Sequence, residues 1–247
     1  GALHGAVVIS AGFAEVGPAG LERQFALVTH LRGGGIRMIG PNCMGIINAD
    51  PSVRLNASLA ARMPAAGRVA LSSQSGALGL AVLGFAADRD VGLSTFVSVG
   101  NKADVSSNDL LEFWEDDPST DVILLYVESF GNPRRFTRIA RRAARSKPIV
   151  ALKSGRTTAG SRAAGSHTAA LAANDLVVDG LFHQSGVIRA STLNEMFDIA
   201  ACLAMQPLPA GRRLGVVTNA GGPGILAVDA CEALGLLVPE FSGDTRA

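Results

Sequence analysis

Short, almost wholly apolar runs recur along this chain, most of them followed by a stretch of helical periodicity. That alternation limits the possible folds more than any other feature. The runs cover residues 6–10, 36–39, 68–72, 94–99, 122–127, 148–152 and 214–218. Amphipathic stretches at 78–88, 108–114, 134–145 and 225–234 lie between or after them. A strand that is apolar at successive positions has no face to give to water, so it must be covered on both sides. Strand–helix alternation with such strands predicts parallel sheets in a three-layer α/β/α arrangement. Ser106 and Asn108, ahead of Leu110 and Leu111, are N-cap candidates for one of the helices.

Two seams interrupt the pattern. Residues 48–67 are rich in Ala and Pro and lack clear periodicity, as a connector would; residues 205–213 form a Pro/Gly-containing linker. Three pieces are therefore expected, 1–48, 49–206 and 207–247. The outer two hold too few elements to bury a core alone, so the chain reads as part of something longer. A formal net charge of +1 over 247 residues supplies no field to attract nucleic acid or an anionic membrane. The arginines of the run Arg134–Lys147 fall opposite Phe136, Ile139, Ala140, Ala143 and Ala144, as on a solvated helix face. Cys43, Cys202 and Cys231 are far apart and odd in number, which fits a reducing compartment and offers no metal knuckle. With no bilayer-length apolar run and no leader pattern, a soluble, cytoplasmic protein is expected, without membrane or nucleic-acid partners.

Chemistry is concentrated at three places. Ser73-Gln-Ser-Gly-Ala77 follows one expected strand and Asn219-Ala-Gly-Gly-Pro-Gly224 follows another, each leading into a helical pattern. At such turns, free N–H groups and the helix dipole favour an anion, so Ser73, Gln74, Ser75 and Gly76 form one candidate phosphate site. Gly221, Gly222 and Gly224 form a second, with Pro223 expected at the first helical position. Neither turn matches a P-loop or a complete dinucleotide fingerprint, and a Gly-rich strand–helix turn is often plain geometry. The third place is His167, within a loop of Gly, Ala, Ser and Thr that packs little. An imidazole there can be carried to a reagent as nucleophile or base, or can simply lie on a polar surface loop. A serine hydrolase is disfavoured, because Ser75 is flanked by Ser73 and Ala77 where a nucleophile elbow has glycines.

Gly40-Pro-Asn-Cys-Met-Gly45, Gly67-Arg-Val-Ala-Leu-Ser-Ser-Gln-Ser-Gly76, Val97-Ser-Val-Gly-Asn-Lys102 and the Gly165-Ser-His-Thr loop occur in that order. Together they resemble the nucleoside-diphosphate-forming (ADP-forming) acyl-CoA synthetases, relatives of the succinyl-CoA synthetase alpha subunit, over essentially the whole chain. The resemblance implies that 1–48 is the end of a CoA-binding Rossmann-type domain. It implies a flavodoxin-like ligase domain at 49–206 and an incomplete second ligase-type domain at 207–247. The implied reaction interconverts acyl-CoA, ADP and phosphate with acid, CoA and ATP through an acyl phosphate and a phosphohistidine. His167 would be phosphorylated and Glu128 would orient it. The two turns would hold the phosphate, and Asn42 and Cys43 would lie near the CoA thiol and the acyl group. A small buried thiol accounts for Cys43 equally well. CoA and ATP/ADP would be substrates, with Mg²⁺ in an ATP-grasp domain or subunit outside this sequence and an oligomeric assembly expected. No metal site is expected in these residues.

Two other classes compete with the enzyme. The same domains serve as a regulatory acyl-CoA-binding region of protein lysine acetyltransferases, often with the histidine lost. An interaction module with vestigial sites would bind no phosphate. Retention of His167, Glu128 and both turns favours the synthetase.

Overall fold

In the central sheet, each strand sends alternate residues to opposite faces. Val122, Leu124, Val150 and Leu152 enter one core cluster, while Ile123, Leu125, Val127, Ile149 and Ala151 enter another. This is why those strands are apolar throughout: both faces are covered. A computed structural model describes residues 3–156, 175–207 and 209–246. They form two compact units, 1–206 and 207–247.

In the first unit, β1 (Gly5–Val7), α1 (Pro18–Gly33) and β2 (Arg37–Ile39) make a small parallel sheet with its crossover helix. The chain then enters a seven-stranded sheet through β3 (Gly45–Asn48) and β4 (Leu55–Ser58). The remaining strands are β5 (Ala66–Ser73), β6 (Leu93–Ser98), β7 (Val122–Val127), β8 (Ile149–Lys153) and β9 (Ile188–Ala190). Their spatial order is β4-β3-β6-β5-β7-β8-β9. From β6 to β9 all pairings are parallel, and β3 and β4 add an antiparallel edge. The parallel part runs second-first-third-fourth-fifth in chain order, the doubly wound pattern of flavodoxin-type folds.

Helices α2 (Gly76–Asp88) and α6 (Leu193–Met205) cover one face through Val82, Ala86, Met196, Phe197 and Ala200. Helices α3 (Ser107–Asp116), α4 (Pro133–Ala143) and α5 (Asp175–Ser185) cover the other through Leu111, Trp114, Phe136, Ile139 and Phe182. Each large side chain so buried contributes about 1.5–3 kcal/mol. Ser106 is the N-cap of α3, in a reciprocal box with Asp109; Asn108 lies inside the helix. The basic run becomes α4, with Phe136, Ile139, Ala140 and Ala143 buried. Its Arg135 and Arg142 pair with Asp109, Glu112 and Glu115 of α3.

Two expectations need correction. Residues 55–58, inside the expected connector, are the edge strand β4, whose alternating Leu-Asn-Ala-Ser sequence suits a strand paired on one side only. Residues 214–218 form no strand. The second unit offers them only an isolated bridge between Arg213 and Leu237, with amide bonds from Leu214 to Leu237 and from Leu237 to Arg212. That unit consists of this bridge, α7 (Gly221–Ala233) and a final turn, α8 (Gly243–Arg246). Pro223 is the third residue of α7, not the first, still within the turn where a missing N–H costs no helical bond. Among the described residues, no helix is long and apolar enough to cross a membrane.

Candidate active site

The strand order dictates where a crevice must open. β5 passes its chain to α2 on one face, whereas β7 passes its chain to α4 on the other, so the loops leaving these adjacent strands diverge. A cleft of about 690 Å³ lies there, lined among others by Asn42, Cys43, Ser75, Gly76, Lys102 and Glu128.

The first wall is the β5–α2 turn. Ser75 is the N-cap of α2, its Oγ accepting from the Leu78 amide at 3.3 Å. Ser73 is fully buried, and its hydroxyl donates to the Ser75 carbonyl at 2.8 Å. Both hydroxyls therefore shape the turn. Gly76 and Ala77, whose N–H groups begin the helix, line the cleft. A methyl group on Gly76 would come no closer than 3.5 Å to a neighbour, so packing does not require glycine there.

Gln74 joins this wall to the next. Its Oε1 accepts from the amides of Glu128 at 2.8 Å and Ser129 at 2.9 Å, and its Nε2 donates to the Ser129 carbonyl at 2.7 Å. The carboxamide thus fixes the β7 exit loop beside the β5 exit turn. Glu128 is half-buried at the end of β7 and lines the cleft.

The third wall comes from the small sheet. Gly40–Pro41 is a cis peptide, and Asn42 has φ 55°. The Asn42 amide donates to the Ser10 carbonyl at 2.9 Å, and its Nδ2 donates to Asn101 Oδ1 at 3.2 Å. This turn meets the loop after β6 backbone to backbone. At Gly100, with φ +51°, a Cβ would sit 2.2 Å from the Asn42 carbonyl oxygen. Asn101 also donates to Glu15, at 2.5 Å, and to Gln24, at 3.0 Å. Burial raises the Glu15 carboxyl, but hydrogen bonds from Asn101 and from backbone amides outweigh it and leave the group below its ordinary value.

Two groups in the cleft are electrostatically unusual. Lys102, at φ 48°, donates through Nζ to the carbonyl of Ser129 at 2.6 Å and to its hydroxyl at 2.5 Å. Burial brings its ammonium down to about 8; Glu128 opposes that fall and Lys153 adds to it. The Cys43 thiol is pushed up by burial, despite a backbone contribution from Gly45, and lies 3.4 Å from the Val8 carbonyl. That environment favours the thiol over the nucleophilic thiolate. At the end of β8, burial lowers Lys153, against the pull of Glu128 and Asp175.

The structure thus brings Asn42, Cys43, Gln74, Ser75, Gly76 and Glu128 into one cleft, with Ser73 beneath it. Gly221 and Gly222 begin α7, with Gly224 in its first turn, in the second unit. Gly221 and Gly224 line a shallow apolar pocket there with Val216, Ile225 and Phe241. His167 lies outside the described residues. Lys102, Asn101 and Ser129 were not among the expected site residues, although the first two stand within the Val97–Lys102 motif. Among the described residues, no group of three or more His, Cys, Asp or Glu could hold a metal ion.

A doubly wound α/β protein with a helix start opening into a cleft at its topological switch point is the class that fold and cleft define. Residues 66–203 match the succinyl-CoA ligase like flavodoxin domain, and the chain belongs to that family. It is 44% identical, over 98% of its length, to acetate–CoA ligase [ADP-forming] I of Archaeoglobus fulgidus, of which it covers 35%. It is also 44% identical, over 93% of its length, to the alpha subunit of acetate–CoA ligase [ADP-forming] I of Pyrococcus furiosus, covering 49% of that protein. A dinucleotide-forming acetyl-coenzyme A synthetase of Candidatus Korarchaeum cryptofilum, solved with phosphate and ADP, superposes with a TM-score of 0.89 at 40% identity. That match covers 97% of this chain and 51% of the other. The chain therefore spans about half or less of the relatives it matches.

Proposed function

We propose that this chain carries the phosphate-handling part of an ADP-forming acid–thiol ligase. The observation that carries the reading is the single cleft that joins the α2 start, Glu128 and the Asn42–Cys43 turn. In the first step, a phosphate oxygen attacks the thioester carbonyl of an acyl-CoA. The C–S bond breaks, and CoA leaves as thiolate. The N–H groups of Gly76 and Ala77 and the dipole of α2 hold the phosphate. Asn42 and Cys43 flank the thioester, Cys43 as a neutral neighbour.

In the second step, a ring nitrogen of His167 attacks the phosphorus of the acyl phosphate, and the carboxylate leaves. Glu128 holds the other ring nitrogen and fixes the tautomer. Gly221, Gly222 and Gly224 would offer a second helix start for phosphate, as the resemblance implies, and the phosphoryl group then passes to ADP. The nucleotide and its Mg²⁺ belong to an ATP-grasp domain or subunit. Residues 1–48 serve the CoA side, 49–206 the ligase domain, and 207–247 the beginning of a second one. The relatives named are ligases, two of them named for acetate, which favours a small carboxylic acid as substrate and gives the acetyltransferase reading no support. We place the assembled enzyme in the cytoplasm as an oligomer.

The test is labelling of the complete protein with γ-labelled ATP and Mg²⁺, comparing wild type with His167→Ala. Acid-labile, base-stable label should appear in wild type alone. Absence of label in wild type with ATP bound would overturn the phosphohistidine route.

A further inference from the structure

The cleft contains a cation that no step above uses. Lys102 stands where the main cleft meets a side chamber of about 230 Å³ and lines both. Its backbone adopts the left-handed conformation, with φ 48°, uncommon for a residue with a side chain. The loop holds that conformation through its own turn, Lys102 N–H to the Val99 carbonyl at 2.8 Å. Its neighbours are tied to the Gly40–Asn42 turn by Asn101 N–H to Pro41 and Ala103 N–H to Gly40.

An ammonium has three donors. Two go to the carbonyl and hydroxyl of Ser129, which fix the direction of the group, and one is left. Among the described residues, no carboxylate lies within ion-pair distance of it. A desolvated charge without a partner costs stability. An anionic ligand at this position supplies the missing partner.

The charged and titratable groups around it come from several elements. Glu128 is at the end of β7 and Lys153 at the end of β8; Glu15 and Cys43 lie across the cleft. Arg135 borders the side chamber, already paired with Asp109 and Glu112. Lys102 is thus the cation of this cleft that is both oriented and unpaired within the described residues.

We propose that Lys102 is a substrate-facing catalytic cation, whose remaining N–H holds the oxygens of inorganic phosphate, and then of the acyl phosphate, against the start of α2. Ser129 is its positioning residue. The inference rests on the phosphoryl-transfer reading above. Because burial brings the ammonium to about 8, a bound anion must hold the proton on, and phosphate affinity falls as the pH rises past that value.

The experiment uses the complete enzyme as wild type, Lys102→Met and Lys102→Arg. It measures kcat and the phosphate KM of ATP synthesis from acyl-CoA across about pH 6.5–9.5, with sulfate, whose charge is constant over that range, as a competing probe. Lys102→Met should raise the phosphate KM about ten- to a hundredfold. The wild-type sulfate inhibition constant should climb above about pH 8, while Lys102→Arg, charged throughout, should stay flat. A phosphate KM in Lys102→Met within about twofold of wild type, in a variant with wild-type thermal unfolding, overturns the proposal. So does a sulfate profile that is the same in wild type and Lys102→Arg, since a purely structural lysine would lower kcat or stability without moving that profile. Labelling of His167 by ATP is scored in parallel on wild type, so failure of the phosphohistidine route is read separately.

Discussion

Gln74→Ala isolates the one side chain that joins two walls of the cleft. The truncation strands the amides of Glu128 and Ser129 and removes one of the donors to the Ser129 carbonyl, which Lys102 also contacts. A buried polar group left without a partner costs about 1–3 kcal/mol. Two amides and a half-satisfied carbonyl would approach the upper part of that range several times over. The loop borders an open cleft, however, and water can replace part of what is lost. A net loss of about 2 kcal/mol in the free energy of opening this loop follows, which is about a thirtyfold faster exchange of the two amides. Should the loop open only with the whole unit, the same loss lowers Tm by about 4–8 °C. Gln74→Glu keeps an oxygen for both amides but places a carboxylate against the Ser129 carbonyl and near Glu128, so its exchange rates should fall between. Hydrogen exchange resolved at Glu128 and Ser129 is the assay. Rates in Gln74→Ala within about threefold of wild type would refute the view that this carboxamide sets the crevice.

Gly76→Ala should separate fold from function. Its new methyl meets nothing closer than 3.5 Å and alanine favours the helix, so Tm should hold or rise slightly. Phosphate affinity should fall at least about tenfold as the methyl crowds the anion's approach, as read by the phosphate KM of the complete enzyme. Asp104, whose side chain is 1% exposed, takes Arg32, Arg37 and the Met38 amide. Asp104→Asn should cost about 2–4 kcal/mol at neutral pH by denaturant unfolding. Burial raises the Asp104 carboxyl, but Arg37, the Met38 amide and Arg32 together bring it below its ordinary value. With the folded value depressed, its contribution is complete above the unfolded value of about 4 and is lost as the pH falls through the folded one. The gap between wild type and variant should therefore narrow below about pH 4.

The parts of the fold legible in the sequence are those whose burial is two-sided. Val122–Val127 reads as a strand at its true limits because every position meets a covered face. β9 has three residues and β4 four, only two of them apolar, so neither carries enough pattern to be seen without its partner. α1 escapes the periodicity argument because it buries only Gly20 and Gln24 and leaves Leu21 and Phe25 exposed. In the site, the Ser73–Gly76 turn is legible because an N-cap serine and a glycine after an apolar run have local causes. Lys102 is not, because what makes it a site residue is Ser129, 27 positions away, and a left-handed backbone set by a neighbouring loop.

The same contrast bears on how the cleft is built. A strand–helix turn alone is a weak anion site, since most such turns are ordinary geometry. Here the second-first-third-fourth-fifth order places the exits of β5 and β7 side by side while sending their helices to opposite faces, so a gap between them is unavoidable. The gap becomes a defined cleft only because two further segments close on it. One is the Gly40–Met44 turn, which reaches the sheet by the antiparallel pairing of β3 with β6 and is held by Met44 N–H on Ser98 Oγ at 2.9 Å. The other is the loop after β6, where Gly100 has no Cβ to strike the Asn42 carbonyl. Each segment has a fold-level reason for its place, and none of those reasons requires Lys102 to be a lysine. A methionine would fill the same volume without asking Ser129 for two hydrogen bonds or leaving a charge unmatched. A cation at a position where the fold does not require one is accounted for by an anion that comes to the cleft.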